Sequence, residues 1–151
     1  MNNLLSIQNE LKIKINKLNF ENYNPKIVAV SKTFAIKDIL PLINHGHLHF
    51  GENKVQESVE KWTSIKSDFK GLKLHMIGKL QTNKVKYVIP LFDYIHSVDS
   101  LKLAEKISKE QIKNNKVMKL FIQINIGNED QKTGILIDQL DNFYNKCTKE
   151  L

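Results

Sequence analysis

The feature that most constrains this chain is a change of hydrophobic period that repeats five times. Short runs rich in β-branched residues alternate with segments whose apolar positions fall three and four apart, at intervals of roughly 20 to 30 residues, a pattern that marks βαβ units and a parallel sheet. The first run, Lys26 to Lys32, follows Pro25 and suits a strand buried on both faces. Ile36, Ile39, Leu40 and Ile43 then fit one face of a helix, and Gly46 is placed to end it. A second strand is predicted from Leu48 to Glu52, with a helix carrying Val55, Val59 and Trp62 that stops before Gly71. A third strand covers Leu72 to Ile77 and leads to a helix from Leu80 to Ile89 that Pro90 closes. The fourth pairs Phe92 to Val98 with a helix from Ser100, whose hydroxyl can cap it, to Asn114. The fifth strand, Val117 to Ile126, precedes a helix over Leu136 to Lys149. Ahead of all five, Leu4, Ile7, Leu11, Ile15 and Leu18 describe an amphipathic helix rather than the unbroken apolar run of a signal peptide. With 151 residues and 41% hydrophobic content, the expectation is one α/β domain spanning residues 1–151.

Five parallel strands can form an open doubly wound sheet or part of a barrel, and periodicity does not choose between them. A dinucleotide fold needs a glycine-rich turn after its first strand. Here that turn reads Ser31-Lys32-Thr33-Phe34, without a glycine. In either architecture ligands bind at the carboxyl ends of the strands. Those ends carry Lys32, Asn53, Gly78 after His75, Ser97 and Asn125. Alternation along the first strand puts Lys32 on the same face as Val28 and Val30. A lysine beside two buried valines is partly desolvated, which favours the neutral amine and hence nucleophilic attack on an aldehyde. The ordinary alternative is a strand-end lysine that snorkels to water.

Charge and composition exclude several other functions. The net charge of +7 suggests an acidic partner, but all 23 basic residues are lysines spread along the chain, without the arginines that nucleic-acid surfaces favour. Nucleic acid is therefore not expected as a partner, and neither is a membrane, since no stretch approaches the ~20 apolar residues of a span. Cys147 stands alone, consistent with the reducing cytoplasm. His45, His47 and His49 alternate, but Gly46 and the helix end before it argue against a fully extended segment, so no metal site is expected. Glu52 and Glu57 flank a helix start, where carboxylates favour the helix dipole, and a capping role is expected of them.

Six blocks carry a resemblance. Ala29-Val30-Ser31-Lys32-Thr33, then His49-Phe50-Gly51-Glu52-Asn53-Lys54-Val55-Gln56-Glu57, then His75-Met76-Ile77-Gly78-Lys79-Leu80-Gln81-Thr82-Asn83-Lys84 resemble the pyridoxal phosphate homeostasis proteins. So do His96-Ser97-Val98-Asp99-Ser100, Gln123-Ile124-Asn125-Ile126-Gly127 and Gln131-Lys132-Thr133-Gly134-Ile135, all in that family's order. The resemblance implies a partial (β/α)8 TIM barrel like the N-terminal domain of alanine racemase, with pyridoxal 5'-phosphate held as a Schiff base on Lys32. It further implies cofactor contacts from Asn53, and more weakly from His75, Ser97 and Asn125. For His75 the competing state is core packing. Lys132, in the loop after the fifth strand, is a candidate second amine for transient aldehyde capture, although loop lysines are ordinarily just solvated.

No motif supplies the acid-base partner that racemisation requires, so the resemblance points to a non-catalytic carrier that passes cofactor to apo-enzymes. The alternatives are a racemase-like enzyme and an inactive fragment. A complete barrel has eight strands. This chain offers five, so the aldehyde end of the site is expected without the phosphate-binding loops, with weakened affinity and open edges available for oligomerisation.

Overall fold

The computed structural model describes residues 2–19 and 22–149. Five strands form one sheet: β1 (Ala29–Val30), β2 (His49–Glu52), β3 (Lys73–Met76), β4 (Tyr94–Val98) and β5 (Lys119–Ile122). All neighbouring pairs are parallel, and the spatial order is the sequence order, β1-β2-β3-β4-β5. A doubly wound sheet reverses its strand order at a switch point. This sheet never reverses, so it is an unclosed arc of a (β/α) barrel.

Helix α1 (Asn2–Lys17) precedes the strands, α2 (Ile36–Asn44), α3 (Val55–Trp62), α4 (Val85–Leu91) and α5 (Leu101–Lys113) connect them, and α6 (Leu140–Lys149) follows β5. Their apolar positions meet alternate strand residues in one core. Ile39, Ile43, Trp62, Val88, Ile89, Leu103, Ile107 and Phe143 from the helices join Phe50, Leu74, Met76 and Ile95 from the strands. The Ser100 hydroxyl accepts the Leu103 N–H and starts α5 as its sequence predicts, while Gly46, at φ +91°, follows the end of α2.

Several boundaries differ from expectation. The first strand shrinks from Lys26–Lys32 to two residues, and the fifth from Val117–Ile126 to four, followed by an isolated bridge between Ile124 and Ile135. Both lie at the edges of the arc, where only one neighbour supplies hydrogen bonds. The helix expected over Leu80–Ile89 begins instead with a 3-10 turn at Thr82–Lys84, and α4 runs through Pro90 to Leu91. The closing Phe92 N–H still reaches the Val88 carbonyl at 2.8 Å. The last helix likewise opens with a 3-10 turn, Ile137–Gln139. In α1 only Leu4 of the predicted stripe is buried; Leu11 and Ile15 are half-buried, and Ile7 and Leu18 are exposed.

Candidate functional site at the carboxyl rim

Register fixes which residues share the concave face of the arc. Val30 pairs with Gly51, Gly51 with His75, and His75 with Tyr94. Stepping two residues along each strand keeps the same face, so Lys32 and Asn53 stand at the rim just beyond Val30 and Gly51. Gly51 leaves room for this layer: a Cβ there would lie 3.1 Å from both the Ile77 and Val28 side chains.

Lys32 occupies a turn closed by the Phe34 N–H on the Ser31 carbonyl, and its side chain is exposed. The expected shelter between two buried valines is not realised, because Val28 is half-buried and Val30 is 48% exposed on the open face. No hydrogen bond or ion pair among the described residues engages the Lys32 amine. Asn53 shows the complementary property: its Oδ1 is buried and has no hydrogen-bond partner among the described residues. A buried, unsatisfied acceptor at a strand end is costly unless something donates to it. The Asn53 backbone is held by Gly78, where a Cβ would come within 2.2 Å of the Asn53 carbonyl oxygen, so only glycine fits. The Gly78 carbonyl in turn accepts the Ser97 hydroxyl at 2.7 Å.

The fourth strand is irregular. Its register against β5 shifts between Ile95 and Val98, so one extra residue is accommodated and both Ser97 and Val98 are buried. Ser97 thus lies on the helix-facing side next to Ile95, its hydroxyl committed to Gly78. Asn125 is also committed. Its amide nitrogen donates to the Glu129 carbonyl at 3.0 Å and its Oδ1 accepts the Glu129 N–H, which ties down the loop that carries Lys132. Gly134 closes that loop at φ +135°, with the Asn125 nitrogen 2.7 Å from where a Cβ would sit. Lys132 is exposed and ion-paired with Glu129.

Below the rim lies a feature that the sequence reading missed. His49, His75 and His96, from three adjacent strands, are joined ring to ring: His49 Nδ1 to His75 Nε2 and His75 Nδ1 to His96 Nε2, both at 2.9 Å. Tyr94 stacks on His75 with centroids 4.1 Å apart, and Phe121 stacks on His96 at 4.5 Å. Both ring nitrogens of His75 are therefore engaged by other imidazoles. Burial, then the neighbouring His96 and His49, holds His75 down to about 4, and burial also lowers His49 and His96. The signal was present in the sequence in part, since His49 and His75 each sit two residues before a concave-face position near the rim, Gly51 and Ile77. Among the described residues no group of three His, Cys, Asp or Glu side chains could hold a metal ion.

Glu52 departs from its expected capping role. It ends β2 fully buried, and its Oε1 accepts from the Ser31 hydroxyl at 2.8 Å, Lys61 Nζ at 3.0 Å and Trp62 Nε1 at 3.0 Å. Strand position overrides the local helix signal, because the side chain of residue 52 must face the helices when that of Gly51 faces the concave side. Glu57 does lie in the first turn of α3, and it also accepts the Thr33 N–H.

The sequentially ordered parallel sheet agrees with comparison to known families. The model of the alanine racemase N-terminal domain matches residues 7–151. The chain belongs to that family. Within it, the chain is 35% identical to the pyridoxal phosphate homeostasis protein of Haemophilus influenzae over 99% of its own length and 66% of that protein. Two solved structures of PipY from Synechococcus elongatus are also similar. The one without pyridoxal phosphate gives a TM-score of 0.77 at 31% identity, over 87% of this chain and 62% of PipY. The one with pyridoxal phosphate bound gives 0.68 at 30%, over 85% and 61%. The chain thus spans about two thirds of the length of these alanine racemase N-terminal domain relatives. No helix among the described residues is long and apolar enough to cross a membrane.

Proposed function

We propose that this protein binds pyridoxal 5'-phosphate through a Schiff base on Lys32 and serves vitamin B6 homeostasis in the cytoplasm as a carrier without catalysis of its own. The observation that carries this reading is the pairing of a free amine at Lys32 with the unsatisfied Oδ1 of Asn53 on the same face of the same rim. When bound, the cofactor supplies an electrophilic aldehyde carbon. The Lys32 amine is the nucleophile that condenses with it, with loss of one water. Asn53 is suited to accept a hydrogen bond from a ring hydroxyl or an ordered water. Support also comes from the pyridoxal phosphate held by PipY and from the name of the Haemophilus relative.

The other rim residues take supporting roles in this proposal. Ser97 fixes Gly78, and Gly78 fixes Asn53; Asn125 shapes the loop over the rim; His75 forms the floor through its imidazole neighbours. A carrier needs a reversible covalent hold and no proton shuttle, which fits a rim where the Ser97 hydroxyl and the Asn125 amide are committed to backbone groups and both His75 ring nitrogens to other imidazoles. Its transient partners in this reading are apo-enzymes that accept the cofactor. The test is titration of wild-type and Lys32→Ala protein with pyridoxal 5'-phosphate, following the visible absorbance of the protonated imine. A saturable band confined to the wild type is expected. An equal band in Lys32→Ala would overturn the assignment.

A further inference from the structure

The amine of Lys32 is free, yet the backbone on both sides of it is tied down, and the residues that tie it belong to β2 and α3. The Ser31 N–H donates to the Gly51 carbonyl at 2.9 Å and the Ser31 hydroxyl to Glu52 at 2.8 Å. Lys61, from the last turn of α3, donates to the Ser31 carbonyl at 2.9 Å and to Glu52 at 3.0 Å. On the other side of Lys32, the Thr33 N–H donates to Glu57 Oε1 at 2.8 Å. Glu57 also lies 3.6 Å from Lys61, so one lysine and two carboxylates bracket the turn. The Thr33 bond is the leading cause holding the Glu57 carboxyl below its usual range.

Thr33 shows why such a bracket is needed. Its φ is +67°, in the left-handed region that a β-branched residue adopts only under constraint. Left to itself, a Thr33 that relaxed out of this region would open the turn closed by Phe34 N–H on Ser31 O at 3.2 Å, and Lys32 would change direction at the rim. The compensating bond is the one to Glu57.

We propose that Glu57, braced by Lys61 and Glu52, is a positioning residue that holds Thr33 in its left-handed conformation and so aims the Lys32 amine at the aldehyde. This rests on the aldehyde-binding reading of Lys32. None of the three bracketing residues touches Lys32 Nζ, so the effect passes through the backbone. It predicts a specific rescue: asparagine tolerates the left-handed region far better than threonine, so Thr33→Asn should make Glu57 dispensable.

The experiment compares wild type, Glu57→Ala, Glu57→Gln and the double variant Glu57→Ala/Thr33→Asn in the full 151-residue chain. Two quantities are measured. One is amide hydrogen exchange at Phe34 without any cofactor; the other is the rate at which borohydride-trapped pyridoxal 5'-phosphate accumulates on Lys32, with the other lysines as internal standards. In Glu57→Ala, Phe34 protection should fall and trapping at Lys32 should slow by about tenfold, the scale of a lost positioning contact, with trapping at the other lysines unchanged. Glu57→Gln, which keeps an acceptor oxygen, should fall between, and the double variant should return to near wild type in both measurements.

Unchanged Phe34 exchange and unchanged Lys32 trapping in Glu57→Ala would overturn the clamp while leaving the Lys32 reading intact. A loss that Thr33→Asn does not rescue, or one shared by all lysines together with a lower midpoint, would reduce Glu57 to a stabilising residue and also overturn it. Absence of trapping at Lys32 in the wild type would sink the aldehyde reading, and with it the clamp's role, even if Phe34 exchange responded.

Discussion

The two faces of the same five strands have opposite characters. On the helix-facing side Phe50, Leu74, Met76 and Ile95 are fully buried and apolar. On the concave side the corresponding layer is His49, His75, His96, Tyr94 and Phe121, linked by imidazole hydrogen bonds and ring stacking, with Val30 and Phe121 each about half exposed. One face stabilises the fold by removing hydrocarbon from water; the other holds polar rings in fixed positions beneath the carboxyl rim. Alternation along a strand lets one sequence do both, so a substitution's effect should depend on its parity more than on its size.

The most damaging change should fall where the rim meets the strands. Gly78→Ala would push a methyl group to 2.2 Å from the Asn53 carbonyl oxygen. Because the obstacle is backbone, relief requires moving a strand end, and a loss of about 3 kcal/mol or more is expected in denaturant unfolding. A near-normal midpoint would show that Asn53 is less firmly seated than described.

Next comes the contrast of faces itself. Leu74→Ala removes a fully buried side chain from the helix side and should cost about 2–5 kcal/mol. Val30→Ala, on the concave side, should cost under about 0.5 kcal/mol because that valine already meets solvent. Similar losses at the two sites would erase the distinction between the faces.

A third test uses acid. His75, held down to about 4 in the folded protein, has an ordinary value of 6.5 when unfolded. Between those two values the unfolded chain binds more protons, so stability should be complete above about pH 6.5, decline as pH falls, and be lost to this group by about pH 4. Allowing for solvent at the open face, the loss should be about 2 kcal/mol. His75→Gln should flatten that part of the profile, and an unchanged slope would contradict the imidazole chain.

Much of the layout was legible in the sequence. The five period changes gave the strands and helices in order, Ser100 and Gly46 marked real helix ends, and the strand-end rule brought Lys32 and Asn53 to one rim. Edge strands were overestimated, because periodicity reports what a segment can do and not how many neighbours it has. The burial expected around Lys32 failed for the same reason: Val30 reads as interior, but the arc leaves it uncovered. The imidazole chain was missed because its members are 26 and 21 residues apart, and only the sheet register aligns them. Glu52 was misread because strand parity, and not proximity to a helix start, decides where it points.

The central claim is that one particular amine among 23 lysines meets the aldehyde. Borohydride reduction of the protein mixed with limiting pyridoxal 5'-phosphate, followed by peptide mapping, tests it most directly. The adduct should be found on Lys32 and should vanish in Lys32→Ala without moving to a neighbour. A label spread over many lysines, or concentrated on one other than Lys32, would contradict the account.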